Sequence, residues 1–175
     1  MTIKAWRTLN SREVLRDRWI NLRADDCVTA NGLEISPYYV LSYPDWVHVV
    51  ALDPRDRVLL IRQYRHGAGV TSIELPAGGV EPSDADILAA GARELVEEAG
   101  YGGRMSLVGV NSPNPANHSN RIHTVLARDV SLVAPPQDNP FEKIESFFVD
   151  VDEAIRLPPA ARWFRRSRSP RCCWD

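Results

Sequence analysis

Three glutamates with helical spacing carry the chemistry that this chain could do. Glu94 and Glu98 are four residues apart, and Glu97 lies three from Glu94. Wound at about 100° per residue, that spacing brings all three carboxylates to one side of a helix. Like charges so placed repel by roughly 0.2–0.5 kcal/mol per pair. A hard dication reverses the sign, since Mg²⁺ is typically held by one or two carboxylates together with substrate phosphates. The plain alternative is a solvated acidic helix face, because runs of charge are usually just hydrated.

The helix that must position them is expected over residues 84–99. Leu88, Ala92, Leu95 and Ala99 fall on one stripe for the core, and the three glutamates point away from it. Ser83 or Asp84 is placed to cap its start. Gly100 ends it in the left-handed manner. Gly91 costs about 1 kcal/mol relative to Ala inside a helix, so close packing is the expected reason for it. Glu74-Leu75-Pro76-Ala77-Gly78-Gly79 precedes the helix as a strand end running into a glycine loop, and Gly102-Gly103 follows as a flexible exit.

The rest reads mostly as strands. Residues 1–30 read as strands, with 19–25 alternating, Asn31-Gly32 signals a hairpin, and residues 34–42 form its return. Residues 47–52 are a nearly continuous apolar run, expected to be buried on both faces, with His48 as a core histidine. Asp53 to Asp56 is a turn, and residues 58–65 are a strand that is apolar first and polar at its end. Residues 70–76, 105–110, 121–127 and 146–149 are further strands, and residues 151–156 begin a helix. The loop 111–120 is polar and about ten residues long, and His118, Asn120, Arg121 and His123 are candidates for substrate contact there.

Composition bounds the answer. With 175 residues, 44% hydrophobic and 25% charged, the chain suits one soluble globular core. A net charge of −2 predicts no nucleic-acid binding from bulk electrostatics. Residues 158–175 hold about +4 and the remainder about −6, so the basic residues gather in an atypical tail, expected to be disordered. Three cysteines, two of them adjacent, make no disulfide framework, which fits a reducing cytoplasm. No stretch reads as a membrane span.

Pro76-Ala77-Gly78-Gly79, an acidic loop, and then Arg93-Glu94-Leu95-x-Glu97-Glu98-x-Gly100-Tyr101 resemble the Nudix box. The half from Arg93 to Tyr101 matches at every fixed position. The front half departs: strict spacing puts the box acid on Ala85 and the box glycine on Gly79. A loop one residue longer, as in some family variants, puts them on Asp84 and Gly78. Arg62-Gln63-Tyr64-Arg65, Glu74 and the N-terminal hairpin are similar to the ADP-ribose pyrophosphatase-like, nucleotide-sugar branch. The resemblance covers roughly residues 15–157.

It implies an α/β fold: an α/β/α sandwich with a mixed sheet and an N-terminal hairpin extension. The domains would be 1–43 for the extension, 44–157 for the Nudix core and 158–175 for the tail. It implies Mg²⁺ or Mn²⁺ on Glu94, Glu97, Glu98 and the backbone carbonyl of Ala77 or Gly78. Arg93 would orient a box carboxylate. Arg62, Arg65, Glu74 and Arg121 would bind substrate, and Glu142, or Glu145 instead, would be the general base. The expected reaction is hydrolysis of a nucleoside diphosphate derivative, foremost ADP-ribose to AMP and ribose 5-phosphate, by a cytoplasmic homodimer. Other nucleotide sugars or dinucleotides, and a non-catalytic nucleotide-binding or regulatory module, are the alternatives. The partners expected are a small-molecule nucleotide and a second copy, with neither nucleic acid nor membrane.

Overall fold

The computed structural model describes residues 3–137 and 139–156. The tail expected at 158–175 lies outside the described residues. In order, the strands are β1 (Arg7–Arg16), β2 (Asn21–Val28), β3 (Glu34–Ser42), β4 (Trp46–Ala51), β5 (Arg57–Arg65), β6 (Val70–Glu74) and β7 (Ala77–Gly79). Then come helix α1 (Ile87–Ala99), strands β8 (Tyr101–Asn111), β9 (Ile122–Leu132) and β10 (Glu145–Asp150), and helix α2 (Val151–Arg156). Among the described residues two compact units result, one of residues up to 45 with 110–122, the other of 46–109 with those from 123 on.

The first unit is an antiparallel sheet in the order β1-β2-β3. Its second turn is the expected hairpin: Gly32 takes φ +82°, and Leu33 N–H donates to Thr29 Oγ1 at 3.0 Å. The polar 111–120 loop folds onto β3. Leu41 N–H donates to Asn117 O at 2.7 Å, and Ser119 N–H donates to Leu41 O at 3.0 Å. Arg121 N–H donates to Asp45 Oδ1 at 2.8 Å, so Arg121 belongs to this unit.

The second unit holds a four-stranded sheet, β7-β4-β9-β8, and a three-stranded antiparallel sheet, β10-β5-β6. The core joins Val47, Val49 and Ala51 of β4 to Ala90, Leu95 and Ala99 of α1 and to Val125, Ala127 and Val130 of β9. Gly91 packs against β4: a Cβ there would lie 3.4 Å from Val47 Cγ2 and 3.5 Å from Val49 Cγ2. The other helix, α2, packs on β10 and β5.

Four local expectations change. β4 alternates instead of being buried on both faces. Its apolar second face, with Val50 and Leu52, lines a cavity of about 380 Å³ with Leu60, Ile73 and Ile155, which is why the run reads as continuously apolar. His48 lies on that second face and is half-buried, opposite the core. α1 starts at Ile87 and its cap is Asp86, which accepts from Ala89 N–H at 2.8 Å. Gly102 and Gly103 begin β8 instead of forming a flexible exit. A Cβ on Gly103 would come 2.7 Å from Arg128 O, so bare backbone is needed for that approach.

Candidate active site

The site is built where α1 crosses β7. Leu95 and Ala99 face the core as expected, but the buried face is rotated to include Ala90, Gly91 and Glu94, while Leu88 and Ala92 are only partly buried. Glu94 therefore points inward, not away. Gly78 makes room for it: a Cβ on Gly78 would stand 2.0 Å from the Glu94 carboxylate. Burial raises the pKa of Glu94, against the opposing pull of Arg93.

Arg93 is the hub. Its Nε and Nη2 donate to the two oxygens of Asp84 at 3.0 and 3.1 Å. Nη1 donates to Glu94 at 2.8 Å and to Glu97 at 3.1 Å, and Nη2 also reaches Gly79 O at 2.8 Å. The planar five-donor guanidinium suits this, where a point-like ammonium would not. Asp84 also accepts from Glu81 N–H at 2.8 Å, which closes the loop before the helix. The Arg93 bonds hold its carboxyl below the usual range. The structure thus brings Asp84, not Ala85, to the arginine, in the longer-loop arrangement.

Glu98 meets the other side of β7. Its Oε2 accepts from Ala77 N–H at 2.9 Å. Burial nonetheless pushes its pKa up to about 8, with the Ala77 bond only partly opposing. Ala77 is fixed in turn by its ladder pairing with His48.

Arg65 and Glu74 form a forked pair at 3.1 and 2.8 Å, and Ser72 Oγ also bonds Glu74. Burial opposes ionisation of Glu74, but these bonds outweigh it and lower the pKa. Arg65 is raised, first by Glu74, and the charges of Glu98 and Glu142 reach it as well. Arg62 goes elsewhere. Side chains alternate along a strand, so Arg62 emerges on the face of β5 opposite Arg65. There it bonds Glu145 at 3.1 Å and lies over Phe147. The structure so brings together Arg65, Glu74, Ala77, Glu94, Glu97, Glu98 and Arg93. It places Arg62 with Glu145, and Arg121 in the first unit. Sequence reasoning missed Ser72 and the buried Gln63 beside it; period-two counting back from Arg65 and Glu74 would have found both.

Whether these residues suit a hard cation can be judged from the donors. Among the described residues no three acidic or histidine side chains converge on one point. Glu94 and Glu97 share Arg93, while Glu98 is held on Ala77. Yet the donors are all oxygens, and burial raises the pKa of both Glu94 and part-buried Glu98, the state that a bound dication would relieve. That donor set fits Mg²⁺ or Mn²⁺, which Glu94, Glu97 and Glu98 would hold.

The match to the NUDIX domain model over residues 43–172 makes the family plain: this chain belongs to the Nudix family and is a Nudix hydrolase. Residues 6–41 match the nucleoside diphosphate sugar hydrolase N-terminal domain. The chain is 26% identical to the methanol dehydrogenase activator of Bacillus methanolicus, over 93% of this chain and 84% of that one. It is 24% identical to the ADP-ribose pyrophosphatase of Bacillus subtilis (strain 168), over 86% of this chain and 82% of that one. A crystal structure of an ADP compounds hydrolase superposes with a TM-score of 0.78 at 24% identity, over 90% of this chain and 84% of that one, a likeness of fold.

Proposed function

We propose that this chain is a divalent-metal-dependent hydrolase of ADP-ribose, giving AMP and ribose 5-phosphate. The observation that carries it is the meeting of Glu98 with the Ala77 backbone on the face reached by the Arg65 guanidinium. Mg²⁺ or Mn²⁺, held by Glu94, Glu97, Glu98 and the Ala77 carbonyl, would supply charge neutralisation of the diphosphate and an acidified water. Arg93 holds Glu94 and Glu97 in register for that role. Arg65, positioned by Glu74, offers a fork of N–H donors to the diphosphate oxygens. Glu142 takes the proton of the attacking water; its charge reaches Arg65 and Glu98, whereas Glu145 is engaged by Arg62. The water oxygen bonds to one phosphorus, the bridging P–O bond breaks, and the departing phosphate keeps the electron pair.

The first unit supports a homodimer. β1 is exposed along its length, with Leu9, Val14 and Leu15 among its exposed apolar side chains. A cytoplasmic location is part of the same proposal. Among the described residues no helix is long and apolar enough to cross a membrane.

The test is a product assay with ADP-ribose and Mg²⁺, with other nucleotide sugars and dinucleotides as comparators. Release of AMP and ribose 5-phosphate, faster than from any comparator, is expected. Nucleotide binding without turnover would favour the regulatory-module reading. Gly78→Ala gives a second check. The Gly78 backbone is tied to Val47 across the β7–β4 ladder, so the Glu94 carboxylate must move. A displacement of about 1 Å can cost about 10²-fold in rate. Turnover is expected to fall by that order while the circular dichroism spectrum stays unchanged.

A further inference from the structure

Gln63 is 3% exposed, and its amide Nε2 is buried with no hydrogen-bond partner. It sits on β5, the middle strand of β10-β5-β6, directly across from Ser72. Ser72 spends its hydroxyl on Glu74, and Arg65 is forked onto Glu74. Neither serves Gln63. Strand alternation puts Gln63, Arg65, Ser72 and Glu74 on one face, with Gln63 and Arg65 about 6.6 Å apart along the strand. A buried donor left unpaired destabilises the free protein, since it loses water and gains nothing. An acceptor brought from outside would satisfy that donor.

We infer that the Gln63 amide is a second donor to the diphosphate oxygens of the substrate, next to the Arg65 guanidinium. The inference rests on the hydrolase reading above. A neutral donor here adds a directed hydrogen bond without more charge beside Glu74. It acts on binding of the diphosphate, before and during reaction alike.

The first arm of the test is Gln63→Met, which keeps the volume and removes the donor. KM for ADP-ribose is expected to rise about tenfold with kcat within about twofold, because interaction common to ground and transition states is lost. The melting temperature is expected to hold or rise, which a merely structural amide would not allow. The second arm keeps Gln63. The chain has two glutamines, Gln63 and the exposed Gln137, so Gln137→Ala with ¹⁵N-glutamine labelling leaves one side-chain amide signal. That signal is expected to shift on adding ADP with Mg²⁺. Turnover by the wild type with an unmoved signal and an unchanged KM in Gln63→Met overturns this inference alone. A wild type that neither turns over ADP-ribose nor binds ADP overturns the hydrolase reading and this inference with it.

Discussion

Glu98→Gln is expected to lower ADP-ribose turnover by about 10³-fold or more, equivalent to about 4 kcal/mol of transition-state stabilisation. The substitution keeps the shape and the acceptor oxygen for Ala77 N–H, and removes only the charge. Equal turnover by both proteins would sink the role assigned to Glu98. A stability signature accompanies it in the metal-free protein. The Glu98 carboxyl is raised from 4.5 to about 8 by burial. The folded state therefore binds a proton that the unfolded chain has released. The stability tied to this group is fully present below pH 4.5 and is lost as the pH rises towards 8. Glu98→Gln has no such loss. Its melting temperature is expected to match that of the wild type near pH 4 and to exceed it by several degrees, roughly 4 °C or more, at pH 8. Mg²⁺ is expected to raise the melting temperature of the wild type with concentration, by mass action, and to leave Glu98→Gln nearly unmoved. Thermal scans across pH, with and without Mg²⁺, check each part.

Arg93→Met is expected to be the most damaging single change to stability in the site. Arg93 is 21% exposed at its side chain and bonds Asp84, Glu94, Glu97 and the Gly79 carbonyl. Methionine fills much of the volume but leaves buried Glu94 without its cation. Breaking one side of a buried ion pair costs about 3–5 kcal/mol. Partial exposure places this case near about 3 kcal/mol, or a drop of roughly 6–12 °C for a chain of this size. Activity should fall further than stability, because Glu94 and Glu97 lose the group that orders them. Arg93→Lys is expected to recover stability in part and activity little, since an ammonium cannot serve four acceptors in one plane. Urea titration beside steady-state kinetics measures the two separately. An Arg93→Met protein with wild-type kcat would remove Arg93 from the machinery.

Much of this was legible in the residues. The helix with its glutamate ladder, its end at Gly100, the Gly32 hairpin and most strands depend on short-range signals: periodicity, caps and turn chemistry. The order of strands β2 to β6 needed no tertiary knowledge. Misreadings were local contests settled by distant partners. Asp84 and Asp86 are equally good caps by type, but Asp84 is claimed by Arg93 nine residues on, so the helix begins after Asp86. Gly102 and Gly103 look like a hinge until Val133, Arg128 and Val130 lie across them.

The sequence by itself determined the family, the reacting helix and the spacing of its carboxylates, because each is written within a few residues of chain. Only the tertiary structure decided that Glu94 turns inward. That depends on a strand lacking a Cβ at Gly78 lying across the helix. Only the sheet decided that Arg62 meets Glu145 while Arg65 meets Glu74, and that Gln63 is left with a buried donor and no partner. Periodicity tells how side chains alternate; which neighbour each face meets is fixed by pairing between strands far apart in the chain.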